Sequence, residues 1–119
     1  MTLAKECDLR AAANRDLRGL VVMQRAEVLA ALEEIQSTHI RAARDRLRSL
    51  ARYQLPVSHL DDPDNGELFG RLKRSQASIS RAENHLAGGS ANDRGEAVEI
   101  LLNIPGVRKE LEATKCPPP

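Results

Sequence analysis

Residues 16–55, DLRGLVVMQRAEVLAALEEIQSTHIRAARDRLRSLARYQL, run for 40 residues with one interior glycine and no proline until Pro56. Apolar residues recur in this stretch mostly at steps of three and four, the period of one helix face. No pair of turn residues interrupts it. A stretch of this kind suits a helix and little else, and it sets the expected fold class as all-α. Composition points the same way. Aromatic residues are 2% of the chain, only Tyr53 and Phe69, so a core must be built from Leu, Ile, Val and Ala. The β-branched and aromatic runs that a sheet needs are missing.

The rest of the chain divides at its punctuation. Thr2 is a capping residue ahead of LAKECDLRAAANRDLR, so the long helix is expected over about residues 3–55, continuous, with Gly19 as its weak point. Pro56 disfavours helical geometry at Leu55 and ends it. Residues 56–63 read as a loop, with Asp62-Pro63 as cap and first helical residue of the next element, and Asp64 or Asn65 as a second capping option. A second helix follows over about residues 64–87 and stops at Gly88-Gly89. A capping cluster, Ser90 to Asp93, opens a helical segment over about residues 93–115, bent at Pro105-Gly106. Residues 117–119 are a proline tail. At 119 residues, the length is that of one domain. The expected architecture is therefore a single domain over residues 1–116, a helical bundle with coiled-coil-like character in which the long helix packs with a second helix and a C-terminal helical segment.

The long helix carries an internal mirror. Its central apolar positions are Val28, Leu32, Ile35, Ile40, Ala43 and Leu47, at steps of four, three, five, three and four. Reflection about the Ser37–Thr38 bond exchanges Val28 with Leu47, Leu32 with Ala43 and Ile35 with Ile40. It also exchanges Glu27 with Arg48 and Glu34 with Arg41. Two copies crossing antiparallel at that bond would pair acid with base along the flanks of the apolar seam, as an isologous contact requires. The expected interface is Glu27, Val28, Leu32, Glu34, Ile35, Ile40, Arg41, Leu47 and Arg48, and the expected partner a second copy or another helical protein. Two other arrangements also satisfy the pattern. One is a plain amphipathic helix. The other is a hairpin at Gln36-Ser37-Thr38-His39, ranked lower because no glycine or proline marks a turn there.

Arg41, Arg44, Arg48 and Arg52 form a basic stripe beside the seam, the candidate phosphate-binding residues of a nucleic-acid or anionic-membrane binder. Against that role, the net charge is only +1, and no aromatic residue interleaves the stripe for base stacking. Leu101-Leu102-Asn103-Ile104-Pro105-Gly106-Val107-Arg108 resembles the helix-hairpin-helix turn over about 15 residues. That resemblance implies backbone N–H groups presented to DNA phosphate, although Arg108 stands where the family has a second glycine.

No catalytic motif is present. His39, His59 and His85 fall in three separate segments, with no H-E-x-x-H, G-x-S-x-G or phosphate-cradling loop. Cys7 and Cys116 lack metal-ligand or redox spacing. Neither a cofactor nor a metal is expected. No apolar leader and no membrane-length run is found, so the expected setting is cytoplasmic. The functional expectation is a non-enzymatic helical protein–protein interaction module of the adaptor, scaffold-subunit or chaperone-like kind, acting as a dimer or in a complex. The half-polar seam of the second helix and the apolar Val98–Leu102 patch are further candidate partner surfaces.

Overall fold

A computed structural model describes residues 17–55 and 63–115 of the chain. Among them it holds five helices and no strand: α1 (Leu17–Gln36), α2 (Ile40–Arg52), α3 (Pro63–Gly88), α4 (Ala91–Leu102) and α5 (Val107–Lys115). The all-α bundle is as expected. The expected residues 3–16 of the first helix, the 56–62 loop with His59, and residues 116–119 lie outside the described residues, as do both cysteines.

One boundary differs. The expected continuous helix runs unbroken through Gly19 but stops at Gln36, and a three-residue turn folds α2 back against α1. The turn is a Schellman end. The Thr38 N–H donates to the Ile35 carbonyl at 3.1 Å and the His39 N–H to the Glu34 carbonyl at 2.8 Å. In this motif the residue after the cap takes left-handed geometry and is usually glycine. Here it is Thr38, at φ 65°. A β-branched side chain at positive φ is strained, by about 1–3 kcal/mol. The hairpin therefore forms without the residue type that usually announces one.

The remaining helix ends follow sequence chemistry. Pro63 is the first helical residue of α3, where its missing N–H costs nothing. Gly89, at φ 79°, stops α3. Ser90 caps α4, its hydroxyl oxygen accepting from the Asp93 N–H at 3.0 Å, while the same hydroxyl donates to the Asp93 carboxylate at 2.9 Å. These bonds, with His85 beside them, hold the Asp93 carboxyl below its ordinary value. The C-terminal segment divides into α4 and α5 at Pro105-Gly106, with Gly106 at φ 87°.

α1 touches each of the other four helices. The main core joins Val28, Ala31, Leu32 and Ile35 of α1 to Ala43, Leu47 and Leu50 of α2, Ile79, Ala82 and Leu86 of α3, and Ala97 and Leu101 of α4, with Ile104 and Val107 closing it. A smaller cluster sits at the other end of α1, where Leu17 and Leu20 meet Leu72. At about 25 cal/mol per Å² of apolar surface, these Leu, Ile and Val side chains supply most of the drive for packing, in the absence of a large aromatic set.

Candidate interaction surfaces

The seam expected to meet a second copy is filled by the chain itself. Val28, Leu32, Ile35 and Leu47 are buried in the core and Ile40 is half-buried against it. The flanking charges find different partners from those the mirror suggests. Glu27 and Glu34 both go to Arg46, which the mirror leaves out. Arg46 Nε donates to Glu34 at 2.8 Å and its Nη2 at 3.3 Å. The physical reason is the turn. It resets the helical phase after Gln36, so flanks extrapolated along one continuous helix do not hold across it. Arg46 faces α1, whereas Arg44 and Arg48 face α3. The Arg46 bonds hold the Glu34 carboxyl below its ordinary value despite an opposing effect of burial, and they hold the arginine charged.

The basic stripe is partly neutralised. Glu83 of α3 accepts from Arg48 at 2.8 Å and lies 3.5 Å from Arg44, leaving Arg41 and Arg52 as the exposed ends of the stripe. The half-polar seam of the second helix is likewise used inside the molecule. Besides Glu83, it carries Gln76, whose amide donates to the Leu50 carbonyl at 3.0 Å and the Tyr53 carbonyl at 2.7 Å. The Leu50 carbonyl also accepts from the Tyr53 N–H at 3.3 Å, so a polar residue on an otherwise apolar seam adds a donor from a neighbouring helix to the carbonyls at the α2 C-terminus, which lack the full set of intrahelical donors. The Val98–Leu102 patch is divided: Leu101 is buried, while Val98, Ile100 and Leu102 are half-buried against the core.

The Pro105-Gly106 turn is also occupied. The Arg25 guanidinium lies so close to Gly106 that a Cβ there would stand 2.6 Å from its Cζ, and Arg25 pairs with Glu110 at 3.4 Å. The close backbone approach that the turn permits is made by an arginine of the same chain. Beside the turn, Glu67, Arg71, Arg74, Ser75, Ser78 and Asn103 border an open cleft of about 320 Å³. His85 lies 3.4 Å from Asp93, and His39 is exposed in the α1–α2 turn. Among the described residues no group of three His, Cys, Asp or Glu side chains is placed to hold a metal ion, and no helix is long and apolar enough to cross a membrane.

Among the described residues the large apolar side chain most open to solvent is on α1. Val22 is 63% exposed. Ala26 follows one turn later, also exposed, and then half-buried Ala30 and Leu29, the latter packed against the main core, so a short apolar strip open at Val22 and Ala26 runs along α1. Around the smaller cluster, Val21, Met23, Tyr53, Leu55, Leu68 and Phe69 are only partly covered. Sequence periodicity hides this strip, because Val22 sits inside the apolar run Leu20-Val21-Val22-Met23, in which every helix face looks alike.

Comparison of the chain with protein-family models, curated proteins and solved structures finds no match.

Proposed function

We propose that the protein is a non-enzymatic helical interaction module, an adaptor, scaffold subunit or chaperone-like partner, that works in the cytoplasm as an assembly of more than one chain. The observation that carries this reading is the outward apolar strip of α1 around Val22, on the helix that every other helix touches. Single exposed apolar residues are ordinary, but a contiguous apolar strip on a small domain marks a contact surface. A second helix laid along Val22, Ala26 and Leu29 would bury it.

Light scattering of the purified chain across a wide concentration range tests the reading. The expected result is a mass that rises above that of one chain with concentration, and a fall back toward one chain in Val22→Glu. A mass of one chain at every concentration, unchanged by Val22→Glu, overturns it in its self-associating form.

A further inference from the structure

The cleft beside the Pro105-Gly106 turn lies between two elements that the fold keeps apart. α3 packs against α4. The chain then turns at residues 103–106, and α5 makes no close backbone contact with α3 among the described residues. The α3 wall of the cleft is a single helix face. Glu67, Arg71, Arg74, Ser75 and Ser78 line it at steps of four, three, one and three, which keep them within roughly 100° of arc. The opposite wall is Asn103 and Pro105, both exposed, with buried Ile104 between them. The cleft volume of about 320 Å³ is in the range of small-molecule sites.

The arginines of the cleft differ from those of the α1–α2 hairpin. Arg25, Arg44, Arg46 and Arg48 each reach a carboxylate. Half-buried Arg71 and exposed Arg74 make no ion pair and no hydrogen bond among the described residues. Glu67 stands one turn before Arg71, the spacing at which acid and base pair on a helix, yet no ion pair joins them. A guanidinium partly withdrawn from water without an acceptor is unfavourable, and an anion brought to it removes that cost. A smaller pocket of about 20 Å³ adjoins the cleft on the α1 side and shares Arg71, Ser75, Ile104 and Pro105 with it. Arg25 lines this pocket. Glu110 engages its Nη1 at 3.4 Å, while its Nε is buried with no hydrogen-bond partner. Three guanidiniums therefore border the two hollows, whose linings contain a single carboxylate, that of Glu67.

We propose that this cleft is a binding site for a small organic phosphate. Arg71 and Arg74, nearly one turn apart on the same face of α3, hold the anion, since guanidiniums match phosphate oxygens by two-bonded contacts. The Ser78 hydroxyl and the Asn103 amide supply neutral donors from the two walls, and Ile104 with Pro105 offers an apolar surface to the organic part. A phosphate monoester presents three free oxygens to such a set, where a carboxylate presents two. Glu67, at one end of the face, repels further negative charge, so the cleft suits one phosphate group rather than a chain of them. None of these residues belongs to the Val22–Ala26 strip, so the site stands or falls apart from the interaction-module reading.

NMR of the isotope-labelled full chain, reading backbone amides and arginine Nε–H groups, tests the proposal. Glycerol phosphate is titrated at constant ionic strength, with acetate and a short single-stranded DNA as comparisons. The expected result is a saturable response confined to Arg71, Arg74, Ser75, Ser78 and Asn103, weaker with acetate. Arg71→Gln with Arg74→Gln is expected to lower the affinity at least tenfold at unchanged helical content. Glu67→Gln is expected to raise it about twofold, a gain that a merely structural role would not produce. A response that never saturates, or that spreads equally over Arg41 and Arg52, marks an adventitious ion only and overturns the proposal. Equal affinity for acetate overturns the phosphate assignment, and tighter binding of the DNA at the same residues overturns the small ligand. If the double change unfolds the chain, Arg74→Gln and Glu67→Gln alone carry the test, and an affinity indifferent to both overturns it.

Discussion

Arg46 holds Glu34 by two parallel bonds, from Nε at 2.8 Å and Nη2 at 3.3 Å, and so fastens α2 to α1 across the hairpin. Two-bonded arginine–carboxylate pairs are the geometrically specific kind. Both side chains keep some contact with water, so screening limits the pair's value to about 0.5–1 kcal/mol. Glu34→Gln is expected to lower stability by that amount at neutral pH in urea unfolding. The effect depends on pH in a definite direction. The Arg46 bonds depress the folded-state pKa of Glu34 below the ordinary glutamate value. The stabilisation is therefore fully present above the ordinary glutamate range and is lost as pH falls through the depressed folded-state value. Wild type and Glu34→Gln should converge in acid. A gap that widens in acid would contradict this assignment.

Gln76 makes its own prediction. It is buried and donates to two carbonyls at the end of α2. Gln76→Leu fits the apolar seam by size, yet it removes the amide that both carbonyls share and leaves Leu50 with the longer Tyr53 N–H bond of 3.3 Å. The expected loss is about 1–3 kcal/mol, read as a lower thermal midpoint. Amide exchange would show the last turn of α2 opening first.

Gly106→Ala is expected to destabilise by about 1–3 kcal/mol, for two separable reasons. The backbone sits at φ 87°, which strains any side chain, and the new Cβ meets the Arg25 guanidinium at 2.6 Å. Arg25→Ala in the same chain removes the collision and leaves the strain. The double variant should thus recover part of the loss beyond additivity, measured as a double-mutant cycle in denaturant.

Glu83→Gln should release the charge of two arginines. Glu83 answers both Arg44 and Arg48, so its neutralisation leaves those cations beside exposed Arg41. Retention on a polyanion resin is expected to rise, with a steep fall as salt increases. Unchanged retention would mean that the stripe is inert toward anions even when uncompensated.

How much of this was legible in the sequence depended on where the chain spends unusual residue types. Pro63, Gly89 and Ser90 announce their helix ends because proline, glycine and serine each have a local physical preference there. The core positions Val28, Leu32, Ile35, Ala43 and Leu47 follow from periodicity alone. The α1–α2 break was ranked low for want of a glycine or proline, since Thr38 takes a glycine's geometry under strain. The five-residue step between Ile35 and Ile40 was the signal that remained. Arg46, Arg25 and Gln76 were invisible for another reason. Their roles are set by residues 12, 85 and 26 positions away, and single-sequence periodicity carries no information about such partners.

The placement of α1 has a further consequence. Because it contacts α2, α3, α4 and α5, removing it would uncover part of each of them. The chain is in effect a receptor with its ligand attached. A chain lacking residues 17–36 would present an apolar trough shaped for one particular helix, and a synthetic peptide of that sequence would be the molecule best matched to fill it. Fragment complementation of this kind would make the fold a reporter whose two halves light up only on meeting.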